Sequence, residues 1–248
     1  MFKGVLQDIS AVRDSLSAVS ELITEGSFEV SKEGMTLIAM DPASVAMVIL
    51  KVLPSAFLEY DVDTKQSLTV NLGNFVTVLK RARASDTITF DLTENKLKVK
   101  MVGDFKRSFS LPLLDTPTTD QNVPTLDFKG KVELDPNALK DGIKDASMVS
   151  DCVIFEANSD AFKIKSFGDT SETDMELAKD SPSLNSLQVE GDLKSKYSID
   201  YLDKILKGTK AADKIDLNFS TDYPLRINCT AVNKLQLSFI LAPRVDTE

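Results

Sequence analysis

The residues along this chain with the clearest capacity for chemistry are cations at helical spacing. Lys204, Lys207 and Lys210 recur at intervals that place them on one face of a helix. Lys80, Arg81 and Arg83 cluster at the end of another helical stretch. Arg13, Lys140 and Lys144 lie on two more, offset there by Asp14, Asp141 and Asp145. Rows of ammonium and guanidinium groups suit phosphate: they hold a nucleic-acid backbone without reading bases, and such contacts permit sliding. Cations late in a helix also complement its dipole, so their position alone leaves both readings open. The net charge is −9 at pH 7, the opposite of an ordinary nucleic-acid binder. A role on nucleic acid therefore requires the cations to be segregated on one surface and the acids on another.

Catalytic constellations are missing. The chain has no histidine, no G-x-x-x-x-G-K-[ST] phosphate loop and no G-x-S-x-G nucleophile turn. Its many carboxylates read as a solvated surface, with no pair at a spacing that singles it out for acid/base work. Cys152 and Cys229 lie far apart without metal-ligand spacing, so they read as reduced core thiols, with a structural disulfide as the alternative. A binding protein with no metal and no cofactor is the expectation; an enzyme is the competing class. Apolar content of 42% with 27% charged residues fits a soluble globular chain rather than a disordered one. The longest apolar run, Val45 to Leu53, is broken by Lys51 and falls short of the roughly 20 residues of a membrane span. Met1-Phe2-Lys3-Gly4 leads straight into patterned sequence without a signal block. The expected location is cytoplasmic and nucleoid-associated in a prokaryote, or nuclear in a eukaryote.

The elements that carry these cations are written twice. Phe2-Lys3-Gly4 recurs as Phe128-Lys129-Gly130, and at a nearly constant offset Leu16 aligns with Ile143, Phe28 with Phe155, Leu37 with Ile164 and Leu50 with Leu177. The register continues with Leu72 on Ile199, Leu79 on Leu206, Lys80 on Lys207 and Asp86 on Asp213, then Val99 on Ile227, Phe109 on Leu237 and Leu111 on Phe239. Two similar domains follow, over residues 1–115 and 127–248. They are joined by an extended linker at 116–126 that is rich in Pro, Thr and Asp. Val12, Leu16, Val19, Leu22 and Ile23 recur with helical period, whereas Phe28-Glu29-Val30 and Met35-Thr36-Leu37 alternate as strands do. A second helix begins after Asn71, and strands around Ile88, Leu97 and Phe109 close the half, the first two joined by a turn at Thr93-Glu94-Asn95. The second half repeats this order, with helices near Pro136 to Val149 and Ser198 to Ala211. The predicted class is α+β, with antiparallel sheets and two helices on one face of each half.

The run Leu37-Ile38-Ala39-Met40-Asp41, followed by Val45, resembles the L-x-x-M-D-x-x-x-V signature of the proliferating cell nuclear antigen family of DNA sliding clamps. Asp222-Tyr223-Pro224-Leu225 is similar to its D-x-P-L strand entry, and Leu241-Ala242-Pro243-Arg244 to its closing L-A-P-K segment. The likeness spans the chain, and the compact linker and short tail resemble archaeal members. It implies the clamp fold and a homotrimer closed head to tail into a ring of six similar domains. Helices would line a hole around double-stranded DNA, held topologically and without sequence preference. The implied partners are a DNA polymerase, a clamp loader, a flap endonuclease and a ligase, each docking through a short peptide. A scaffold of this fold that does not load on DNA, or one subunit of a heterotrimer, is the alternative.

Site residues follow from the same resemblance. The nine cations named above become phosphate contacts, although Asp200 stands where many relatives carry a basic residue. The peptide pocket comprises Met40, Ser44, Val45, Met47, Val123, Pro224, Ile240, Leu241, Ala242 and Pro243. Ser44 replaces a histidine and Ile240 an aromatic residue of animal members. At the subunit interface a basic edge with Lys106, Arg107, Phe109 and Leu111 meets an acidic edge with Glu172, Asp174, Met175 and Leu177, where complementary charge favours unlike edges.

Overall fold

A computed structural model describes residues 2–115, 121–212 and 214–245. The first part of the linker, 116–120, and Asp213, aligned above with Asp86, lie outside the described residues. In the first half β1 (Phe2–Leu6) leads into α1 (Ser10–Val19). Strands β2 (Glu25–Ser31), β3 (Gly34–Met40), β4 (Ala46–Val52), β5 (Glu59–Val62) and β6 (Gln66–Asn71) follow. Then come α2 (Leu72–Leu79), β7 (Thr87–Thr93), β8 (Lys96–Val102) and β9 (Lys106–Pro112). The second half runs β10 (Gly130–Leu134), α3 (Pro136–Ser147), β11 (Cys152–Ala157), β12 (Ala161–Phe167), β13 (Glu172–Ala178), β14 (Leu184–Val189) and β15 (Leu193–Ser198). It ends with α4 (Ile199–Leu206), a 3-10 turn (Lys207–Ala211), β16 (Lys214–Phe219), β17 (Leu225–Ala231) and β18 (Leu235–Leu241). The order of strands and helices is the same in both halves, as the duplication predicts.

Local chemistry accounts for these elements. In β8, Leu97, Val99 and Met101 are buried while Lys96, Lys98 and Lys100 alternate outward. The Asn71 side chain caps α2 by accepting from the Asn74 N–H at 2.9 Å. Asp135 caps α3 in the same way, accepting from the Asn137 N–H at 2.7 Å, and Pro136 needs no donor at the first helical position. Glu94, in the predicted hairpin turn, adopts a left-handed φ of 49°.

Pairing across the sheets is antiparallel throughout. A five-stranded sheet has the order β5-β1-β7-β8-β9, a four-stranded one the order β13-β12-β11-β15. The third sheet, β14-β10-β16-β17-β18-β4-β3-β2-β6, is nine strands wide and crosses between the halves where β18 pairs with β4. The helices lie on one side: α1 packs on α2, α3 on α4, and α1 also meets α4 and the 3-10 turn of the other half.

Strand partners correct the repeat register in three places. Phe28 faces Leu37 as Phe155 faces Ile164, in agreement with the alignment. Leu37 then faces Leu50, but Ile164 faces Met175, so Met175 rather than Leu177 is the counterpart of Leu50. The loop after β3 is longer than the one after β12, and a slip of even length keeps each side chain on its face. Likewise Val99 faces Phe109 and Ile227 faces Phe239, which makes Phe239 and Leu241 the counterparts of Phe109 and Leu111. Equivalent loop bonds agree: the Leu114 N–H donates to the Thr69 carbonyl as the Arg244 N–H does to that of Lys196. The two Phe-Lys-Gly copies are not equivalent, since Phe2 is buried in β1 whereas Phe128 precedes β10 and meets the Tyr223 ring at 5.9 Å. Both cysteines are free and buried. Burial pushes the Cys229 thiol up to about 12 and raises that of Cys152, which keeps both protonated.

Gly208, in the 3-10 turn, lies against α1 at the seam between the halves. A Cβ there would sit 2.9 Å from Leu237 and 3.3 Å from Ala18 of α1. Gly208→Val is expected to wedge this seam and to destabilise the chain by about 1–3 kcal/mol, read as a lower urea midpoint.

Candidate nucleic-acid interface and docking surface

The helical layer carries the cations, and the structure divides them into two groups. Lys80 ends α2 and Arg81 and Arg83 follow it in the turn. Lys80, Arg81, Lys140, Lys144 and Lys210 are exposed, with no ion pair among the described residues. The others are engaged: Arg13 with Asp14 at 2.8 Å, Lys207 with Glu21 at 3.0 Å, and Lys204 with Asp200 at 2.7 Å while lying 5.3 Å over the Tyr201 ring. Arg83 lies 3.8 Å from Asp104 and 4.8 Å over the exposed ring of Phe105. Solvent-exposed pairs of this kind are weak enough for phosphate to displace them.

Arg107 departs from expectation. It lies in the edge strand β9, but its side chain is only 15% exposed and pairs with buried Asp86, and it donates to the Arg81 carbonyl at 2.7 Å. Asp86 in turn accepts from the Arg83 N–H at 2.8 Å. Arg107 thus pins the basic turn after α2 to β9. This role was invisible in sequence because the partners come from a turn and a strand that only hairpin packing brings together.

Two of the sheet edges are β9, which ends the five-stranded sheet opposite β5, and β13, which ends the four-stranded one opposite β15. Lys106 and Glu172 are exposed; Glu176 pairs with Lys163, and Asp174 lies 3.5 Å from Lys165. Phe109, Leu111 and Met175 are half-buried, whereas their counterparts Phe239, Leu241 and Leu50 are fully buried in the sheet that crosses between the halves. Leu177 is already buried in its own half, not presented at the edge.

On the face of the nine-stranded sheet opposite the core, Met40, Met47, Ile240 and Arg226 stand in register on β3, β4, β18 and β17. The adjacent row is Ile38, Ile49, Ser238 and Asn228. Several of the residues expected to form the pocket lie together: Met40 is half-exposed, with Met47 and Ile240 buried beside it, and the Ala242 N–H donates to the Val45 carbonyl at 2.9 Å. Half-buried Pro224 leads into β17 and half-buried Pro243 follows Ala242, while Val123 is exposed in the strand-free run before β10. Leu241 is the exception; it alternates with Ile240, points into the core and is fully buried.

The loop 41–45 is built around Asp41, which is 6% exposed. Its carboxylate accepts from the N–H groups of Ala46 at 2.6 Å, Val45 at 2.7 Å and Ala43 at 3.1 Å, and from the Tyr201 hydroxyl at 2.8 Å. Ser44 sits at the tip with φ 57°. Burial raises the Asp41 pKa, but the four donors outweigh it and leave the carboxyl below its usual range. Tyr201 belongs to α4, so a helix of the second half fixes a loop of the first. Sequence reasoning missed Tyr201; for Asp41, the Asp-Pro-Ala-Ser run is an Asx-turn signal that could have found it.

Fold and site together define a duplicated α+β protein with a cationic helical layer, complementary open sheet edges and an apolar patch on the opposite face. Comparison with known proteins gives the particular family. The family models described as the N-terminal and C-terminal domains of proliferating cell nuclear antigen match residues 1–110 and 122–244. The chain belongs to the proliferating cell nuclear antigen family. It is 36% identical over 246 residues to the DNA polymerase sliding clamp of Thermococcus gammatolerans, covering 99% of each chain. It is 37% identical over 243 residues to that of Nanoarchaeum equitans, covering 96% of this chain and 98% of the relative. The crystal structure of proliferating cell nuclear antigen from Thermococcus kodakaraensis matches with a TM-score of 0.94 at 31% identity, over 98% of this chain and 100% of that one.

Removing the Asp41 carboxylate strands three backbone donors, so Asp41→Ala is expected to cost about 2–3 kcal/mol in denaturant unfolding. Because the folded pKa is depressed, this contribution is present above the unfolded value of about 3.9 and is lost as pH falls through the folded one. The difference between wild type and Asp41→Ala should therefore shrink below about pH 4.

Proposed function

We propose that this chain is a sliding-clamp subunit. Three copies close head to tail into a ring that encircles duplex DNA, acts as a polymerase processivity factor and docks replication and repair proteins without catalysis. One observation carries the reading. The β9 edge of one copy placed against the β13 edge of the next gives the order β5-β1-β7-β8-β9-β13-β12-β11-β15, strand for strand the counterpart of the sheet that already joins the halves. Phe109, Leu111 and Met175, left half-covered in a single chain, would then gain the burial their counterparts have. A head-to-tail contact that closes on itself gives cyclic symmetry. Linker boundaries at 116–126, a homotrimer, and docking of clamp loader, flap endonuclease and ligase by short peptides belong to this proposal.

Enclosure makes tight grip unnecessary, so phosphate contacts from the helical layer suffice and leave the ring free to slide. Acidic groups elsewhere, on a chain of net charge −9, keep DNA from the outside.

Light scattering of the pure chain is expected to give three times 27.2 kDa; a monomer would reject the homotrimer. Carrying the β18–β4 register, in which Gln236 faces Lys51, onto the corrected counterparts places Lys106 opposite Glu176 of the next copy. Lys106→Glu should weaken assembly, and adding Glu176→Lys should restore it in part. Reversing Lys80, Arg81, Lys207 and Lys210 to glutamate should leave the ring mass unchanged while abolishing polymerase stimulation. Wild-type stimulation by that variant would remove the DNA-lining assignment.

A further inference from the structure

The outer face of the nine-stranded sheet changes character at β18. At the end of β3, β4 and β18 nearest the loop 41–45 the outer row is apolar, through Met40, Met47 and Ile240, with Ile38 and Ile49 in the row beside it; one strand further on, Arg226 stands directly beside Ile240. We propose that Arg226 is a specificity-determining residue of the docking surface, which binds a carboxylate side chain of a partner peptide whose apolar anchors occupy the patch. The inference rests on the docking role proposed above and adds the charge of the ligand to it.

Three observations carry it. Arg226 makes no ion pair among the described residues, and its buried Nε has no hydrogen-bond partner. The Nε is closed off, so the grip on a carboxylate falls to the terminal nitrogens, which make no hydrogen bond among the described residues and can form two parallel bonds. The guanidinium is also held in place: it lies 5.4 Å over the Phe128 ring, and Phe128 is braced edge-on by Tyr223 at 5.9 Å. Stacking of this kind reduces the side-chain entropy lost on binding. Finally, the neighbouring acid is occupied. Asp216 Oδ1 accepts from Asn218 Nδ2 at 2.6 Å and Asn228 Nδ2 at 2.8 Å, and the Ser238 hydroxyl bonds Asn228 Oδ1 at 2.6 Å. These groups satisfy one another and leave Arg226 as the unanswered charge beside the patch. Charge complementarity selects an acidic peptide over a neutral one.

The test uses fluorescein-labelled twelve-residue peptides carrying isoleucine and phenylalanine anchors at helical spacing. Glutamate or glutamine is placed in turn at each of the positions flanking the anchors. Anisotropy titrations against the full chain are expected to show, at one position, about fivefold tighter binding of the glutamate version, a difference of about 1 kcal/mol. Arg226→Gln should erase that difference and Arg226→Lys should keep part of it, with an unchanged melting temperature reporting that both variants fold. If the peptides bind but glutamate gives no advantage at any position, or the advantage survives Arg226→Gln, the role of Arg226 is wrong while the docking surface stands. If no version binds, the docking surface itself is wrong and this inference falls with it.

Discussion

A strand edge is a row of backbone donors and acceptors that must be satisfied by water or by another strand, and this fold is organised by where its edges end. The β18–β4 ladder pairs seven residues of the last strand with seven of the fourth, fusing two half-sheets into one. Phe239, Leu241, Val48 and Leu50 lie beneath it without solvent exposure. The matching half-sheets of the chain end at β9 and β13 with nothing across from them, and there the equivalent side chains stay half-covered. An edge this long and partly apolar is a liability unless it has a partner.

Charge is distributed with the same logic. The cations of the helical layer sit on a chain that is acidic overall, and only some of them are free. Lys204 and Lys207 are held by Asp200 and Glu21, while Lys80, Arg81 and Lys210 project without partners among the described residues. Arg107 gives up its place at the edge to hold the turn that carries Arg81 and Arg83, through Asp86 and a backbone carbonyl. The edge keeps Lys106 as its cation.

Polar ties connect the two sides of the molecule. Asp41 gathers three N–H groups of the loop beside the apolar patch and takes a fourth hydrogen bond from Tyr201 of α4. That helix also bears Lys204, whose ammonium rests over the same Tyr201 ring. The helical layer and the loop beside the apolar patch therefore share one buried carboxylate, and the loop conformation depends on the packing of the opposite half.

Much of this was legible in the chain alone. Apolar periodicity determined the α+β class, the duplication, both capped second-half and first-half helices and the hairpin at Glu94, because those signals are local and each element buries one face. Short motifs marked the strand entry at Pro224 and contained Asp41, without its role in the loop. What periodicity could not deliver was register after loops of unequal length: Leu50 corresponds to Met175 and Phe109 to Phe239, since a two-residue slip leaves the buried face unchanged and hence the pattern silent. Nor could sequence separate Ile240 on the outer face from Leu241 in the core, or foresee that Arg107 would turn inward to Asp86 and Tyr201 reach Asp41. Those contacts join residues distant in the chain, and only the folded sheets and helices bring their polar groups close enough to satisfy one another.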